Sequence, residues 1–191
     1  MRILSTLARW GRRFSAAERG VAAVEFALIL PIMLMLYVGM VEGSTLITMD
    51  RKVQTVSGSV GDLVARSNGL ITSATLNDYV KVAAGIMTPY PVGSLEQIVT
   101  QVFVDNTGKA TVDWSKRYVG QVSQSTGVRA KGDVITLPNE VKAIALNQYL
   151  IVTECRTTYT PLYGIAFDKA VNLYRENFFV PRFRERIKLD S

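Results

Sequence analysis

The stretch "RGVAAVEFALILPIMLMLYVGMVEGS", Arg19 to Ser44, decides the fold. No residue from Phe26 to Val41 is charged, and the longer run from Val21 to Val41 carries Glu25 alone. As an α-helix, a run of that length rises about 31 Å, enough to cross a bilayer core. Pro31 lies inside it, which membrane helices tolerate better than soluble ones. Arg2, Arg9, Arg12, Arg13 and Arg19 precede the run against Glu18 alone, whereas only Arg51 and Lys52 follow closely, beside Glu42 and Asp50. Positive charge on the entry side predicts a cytoplasmic N-terminus, with the bulk of the chain across the membrane.

Charge elsewhere is nearly balanced. After residue 20 the chain carries 17 basic and 15 acidic side chains, so the net charge of +6 comes mostly from the leader. That pattern argues against a nucleic-acid-binding body and for a membrane-orienting signal. Hydrophobic residues make up 48% of the chain, enough for a packed core. There is no histidine, the commonest general base and metal ligand, and Cys155 is the single cysteine. The expectation is a protein that is not an enzyme and needs no cofactor or metal.

Three other readings of the apolar run stay open. A cleaved secretory signal has a shorter apolar region and a small-residue cleavage site. An ordinary signal anchor fits the length but gives Glu25 no purpose. A buried core helix fits poorly behind so many arginines. Glu25 separates these readings, because a carboxylate in hydrocarbon costs on the order of 2.5–3.5 kcal/mol unless it finds a partner. Cutting the chain between Gly20 and Val21 would create such a partner. The new α-amino group, with a pKa of about 7.7–8.0, is largely positive at neutral pH. Val21 and Glu25 share a helix face four residues apart, and the first helical turns favour an anion. The same carboxylate could pair with the amine of a neighbouring subunit. Glycine before the cut leaves the backbone open to a protease.

These residues resemble the N-terminal signature of TadE-like proteins, the minor pilins or pseudopilins of tight-adherence (Flp, type IVc) pilus systems. The shared elements are the basic leader, Gly20, the core Val24-Glu25-Phe26-Ala27-Leu28, Pro31, and a closing glycine region from Gly39 to Gly43. The resemblance implies a pilin-like α+β fold, a cut after Gly20 by a prepilin peptidase, and a role for Glu25 in assembly register. It also implies insertion in a bacterial inner membrane with the head in the periplasm, or outside the cell after assembly. The partners it implies are other pilin subunits and the assembly platform. Major Flp pilins are much shorter, so a minor component is expected. The alternative is an uncleaved single-span envelope scaffold or secretion-system accessory protein.

The predicted organisation is a leader (1–20), a membrane and assembly helix (21–42), a helical continuation (43–68) and an α+β head (69–191). Leu46, Met49, Val53, Val56, Val60, Leu63 and Val64 recur at helical spacing, ending at Asn68-Gly69. Ser57, Gly58, Ser59 and Gly61 leave that helix a flat surface for close packing. Gly39-x-x-x-Gly43 matches a helix-pairing motif, but Glu42 inside it argues for coincidence. A second helix fits Leu76, Tyr79, Val80, Ala83 and Met87, with Thr75 as N-cap and Pro89 and Pro91 ending it. Alternation then predicts strands at 98–104 and 110–118 around the turn "DNTGK", at 149–160, and within 170–183. Gly120 to Gly132 reads as a surface loop, and a helical turn follows Pro138.

The head offers little chemistry. Asp105 and Asp113 flank the hairpin and read as residues satisfying local backbone. Cys155 reads as a small core residue. Ser123, Ser125 and Thr126 beside Gly127 lack a phosphate-loop match. The aromatics Trp114, Tyr118, Tyr149, Tyr159, Tyr163 and Tyr174 read as cross-strand packing. The basic tail from Arg182 to Lys188 reads as a solvated edge.

Overall fold

The structure is a computed structural model that describes residues 18–126, 128–164 and 168–190. Most of the basic leader, and Gly127 of the serine-rich loop, lie outside the described residues. The elements run as helix α1 (Glu18–Ala65), strand β1 (Leu70–Thr72), helix α2 (Ser73–Ala84), strands β2 (Glu96–Val104), β3 (Ala110–Val119), β4 (Val122–Gln124) and β5 (Val134–Ile135), helix α3 (Asn139–Ile144), then β6 (Gln148–Tyr159), β7 (Val171–Phe179) and β8 (Lys188–Asp190). This is the expected α+β class, with a long N-terminal apolar helix, a short second helix and a mostly antiparallel sheet. The chain divides into two compact units, Met1–Ser44 with Pro161–Asp168, and Thr45–Thr160 with Lys169–Ser191.

In the first unit, α1 passes through Pro31 without a break and keeps its apolar side chains exposed from Val21 to Val41, apart from half-buried Val38 and Gly39. So long an uncovered apolar face marks a surface that meets a membrane or another protein.

In the second unit, the sheet runs β4-β3-β2-β6-β7, with β5 also on β3, and every pairing is antiparallel. Met49, Val53, Val56, Val60 and Val64 of α1 are buried together with Leu76, Val80 and Met87 and with Val99, Ile151 and Cys155 of the sheet. The predicted small-residue surface is real at two positions. Ser57 Oγ donates to Thr153 O while Thr153 Oγ1 donates back to Ser57 O, both at 2.9 Å. At Gly61 a Cβ would stand 2.3 Å from the Phe179 ring. The opposite sheet face buries Val102, Val104, Val112, Leu150 and Val152 with Leu137 and Ala145 around α3.

Several details correct the sequence reading. The N-cap of α2 is Thr72, whose Oγ1 accepts from Thr75 N at 3.1 Å, because β1 runs straight into the helix and leaves Thr72 extended. The 120–132 loop contains β4, paired with the end of β3. The tail is solvated only in part: Arg182, Arg184 and Lys188 are exposed, but β8 pairs in parallel with β1, and Ile187 is buried. Ile187 O accepts from Trp114 Nε1 at 2.7 Å, and Ile187 N donates to Gln101 Oε1 at 3.1 Å. Asp105 caps its own turn, accepting from Thr107 N and Lys109 N. Asp113 does not: it receives both Nε and Nη2 of Arg186, at 2.7 and 2.6 Å. Cys155 is buried, and burial, with the Glu96 charge second, pushes its thiol up to about 12.

Candidate functional site

All the residues singled out for processing and assembly lie on one helix. Gly20 and Val21 belong to the first turns of α1, and Glu25 follows one turn later with its side chain exposed. Phe26, Ala27, Leu28 and Pro31 are exposed on the following turns. The structure therefore brings Val21 and Glu25 to one face at i, i+4 spacing, where an α-amine and a carboxylate are within reach of each other. Glu25 sits where the unpaired N–H groups of a helix beginning at Val21 would favour a negative charge.

Glu42 has a different environment. It is only 2% exposed, although it directly follows the exposed run. Its Oε1 accepts from Tyr163 N at 2.8 Å and from Gly164 N at 2.9 Å. Gly164 adopts φ +68°, a left-handed turn that glycine enters freely and that helps aim two successive amides at one oxygen. Sequence reasoning passed over Glu42 as a flaw in a glycine motif. The available signal was a second acid at the far border of the span, where an uncompensated carboxylate is again costly.

The head carries a polar network on the sheet face that α1 leaves uncovered. Glu154 accepts from Arg129 Nη1 and from the Tyr174 hydroxyl, and Arg129 also reaches Thr100 Oγ1. Burial opposes the charge on Glu154, but the hydrogen bonds from Arg129 and Tyr174 and the charges of Arg129 and Arg156 outweigh it and hold the carboxyl below its usual value. Glu176, directly opposite Glu154 on β7, goes the other way, raised by burial and then by the Glu154 charge. This network ties Arg129 to the sheet. Among the described residues, no group of three or more Cys, Asp or Glu is placed to hold a metal ion.

A helix of this length and apolarity, uncovered over the span and joined to an α+β unit, fits a single-pass membrane protein with one globular domain. A family model described as TadE-like protein matches residues 20–58, a segment that covers the span and the part of α1 that follows it. The match begins at Gly20, the residue expected to precede the cut. No curated protein and no solved structure matches the chain.

Proposed function

We propose that this chain is a minor pilin or pseudopilin of a tight-adherence pilus. In this reading it inserts with its N-terminus in the cytoplasm and its head across the inner membrane, and a prepilin peptidase cuts it after Gly20. It then joins other pilin subunits through the assembly platform. The observation that carries the reading is the TadE-like segment opening at Gly20, with an exposed carboxylate four residues beyond Val21. Val21–Val41 serves first as membrane anchor and then as the packing helix of the fibre. Phe26, Ala27, Leu28, Pro31 and Gly39 supply its apolar surface, and Glu25 pairs with the α-amine of Val21 of its own or a neighbouring chain.

The scissile bond lies in the first helical turns, so the peptidase must unwind the end of α1. Terminal turns hold few hydrogen bonds and glycine weakens a helix by about 1 kcal/mol relative to alanine, so that step costs little. The head acts as a structural and binding module, not as a catalyst. N-terminal sequencing of the protein, expressed with and without the peptidase, tests the reading. A start at Val21 only with the peptidase supports it. An intact Met1 in functional protein leaves the uncleaved scaffold instead.

A further inference from the structure

We propose that the Pro161–Gly164 segment is a membrane-surface anchor, latched to α1 by Glu42 and resting Leu162 and Tyr163 in the headgroup layer of the bilayer that Val21–Val41 crosses. The inference rests on that stretch being a membrane span and deepens it by adding a second lipid contact.

The latch fixes the segment's depth. A helical side chain covers the turn N-terminal to its own Cα. Glu42 therefore reaches back over Val38 and Gly39, four and three residues earlier on the same face. Those two residues are half-buried within an otherwise exposed run. Gly39, lacking a side chain, leaves room for backbone to approach. The amides of Tyr163 and Gly164 thus lie beside the last turn of the apolar run, at the hydrocarbon border. Hydrogen bonds from N–H groups to a carboxylate are roughly twice as strong as neutral ones, so the two together give the segment a definite seat.

The segment turns its polar atoms inward and its apolar ones outward. Leu162 is 79% exposed and Tyr163 is 62% exposed, while their neighbouring amides are satisfied by Glu42. On a water-facing loop that arrangement has no advantage. At a bilayer border it has two. Tyrosine is enriched there because its ring is apolar and its hydroxyl stays wet, and a leucine side chain gains from entering the apolar layer. Glu42 itself escapes the cost of an unpaired charge at that depth.

The test uses the full chain in proteoliposomes of phosphatidylethanolamine and phosphatidylglycerol whose acyl chains carry bromine near the headgroup end. An environment-sensitive thiol dye is placed by Leu162→Cys and, separately, by Met40→Cys; buried Cys155 leaves the unmutated chain as an unlabelled blank. The expected result is quenching at both positions, with Glu42→Ala relieving it at 162 and not at 40. Quenching at 40 without quenching at 162 overturns the anchor and leaves the span intact. No quenching at 40 overturns the span itself. Quenching at 162 that survives Glu42→Ala overturns the latch. Shielding at 162 that appears only when a second protein is added assigns the surface to a protein partner and overturns the lipid contact.

Discussion

Removing the Ile187 side chain is expected to destabilise the head far more than a charged terminal segment would suggest. Ile187 is 1% exposed, and its neighbours make a dense set of contacts. Trp114 Nε1 donates to its carbonyl, Gln101 accepts from its amide, and Arg186 beside it forms a two-pronged ion pair with Asp113. An isoleucine-to-alanine change at a buried site costs about 2–5 kcal/mol, the transfer of the lost carbons plus the cavity they leave. At about 2–4 °C per kcal/mol for a domain of this size, a mid-range cost of about 3 kcal/mol lowers the melting temperature by about 6–12 °C. Arg186→Ala removes the two-pronged partner of Asp113, whose side chain is 10% exposed, but Gln101 Nε2 still donates to it at 3.0 Å and Lys131 Nζ stays 3.8 Å away. A loss near 2 kcal/mol is expected there, below the 3–5 kcal/mol of a fully buried pair. The assay is thermal unfolding of the full chain in detergent, followed by near-ultraviolet circular dichroism, which senses how rigidly Trp114 is packed. A solvated tail would keep both variants within about 0.5 kcal/mol of the parent. Melting temperatures that coincide with the parent's for both would refute the packing argument.

On the proposed pilin reading, Glu25→Ala is expected to leave the cut after Gly20 largely intact and to impair incorporation into the pilus, read by N-terminal sequencing beside the pilus fraction; normal incorporation rejects the register role. Glu154→Gln is expected to destabilise the head at neutral pH. Because the folded-state carboxyl titrates below the usual value near 4.3, its contribution is present above that pH and lost as the pH falls through the folded value. Urea midpoints of parent and variant should therefore converge in acid, and a pH-independent gap counts against the ion pair. Glu176→Gln is expected to stabilise the head at neutral pH by about 0.2–1 kcal/mol, since like charges directly opposite on paired strands repel. Its raised carboxyl means the parent loses stability as the pH rises through the folded value, so the gap should close in acid. Destabilisation at neutral pH would instead mean that ionised Glu176 is favourably placed.

How much was legible beforehand follows from which constraints are local. The span was readable because a bilayer imposes length and apolarity on consecutive residues, and the helical face from Met49 to Val64 because its period is set within a few turns. The hairpin was readable because Asp105 satisfies backbone within its own turn. The tail was not. Four basic residues in seven read as a solvated stretch, and nothing nearby reveals that Arg186 meets Asp113 or that Lys188–Asp190 pairs with Leu70–Thr72. The cap of α2 was misplaced for a similar reason: Thr72 and Thr75 are equivalent by residue type, and only the pairing of β1 leaves Thr72 extended.

Glu42's place at the border was visible, but its contacts with Tyr163 N and Gly164 N were not, because backbone amides are carried by every residue and no sequence pattern marks them. On the proposed pilin reading, the two border acids differ in function. Glu42 has its hydrogen bonds within its own subunit, so its energy changes little whether the chain sits in lipid or in a fibre. Glu25 is exposed, and its carboxylate costs energy in hydrocarbon until an amine comes beside it. Only the second kind of charge can bias a subunit toward leaving the membrane, because only its energy differs between the two environments. The acid at the start of the span is thus the one suited to drive assembly in that reading, while the one at its end holds the 161–164 segment to the helix in either environment.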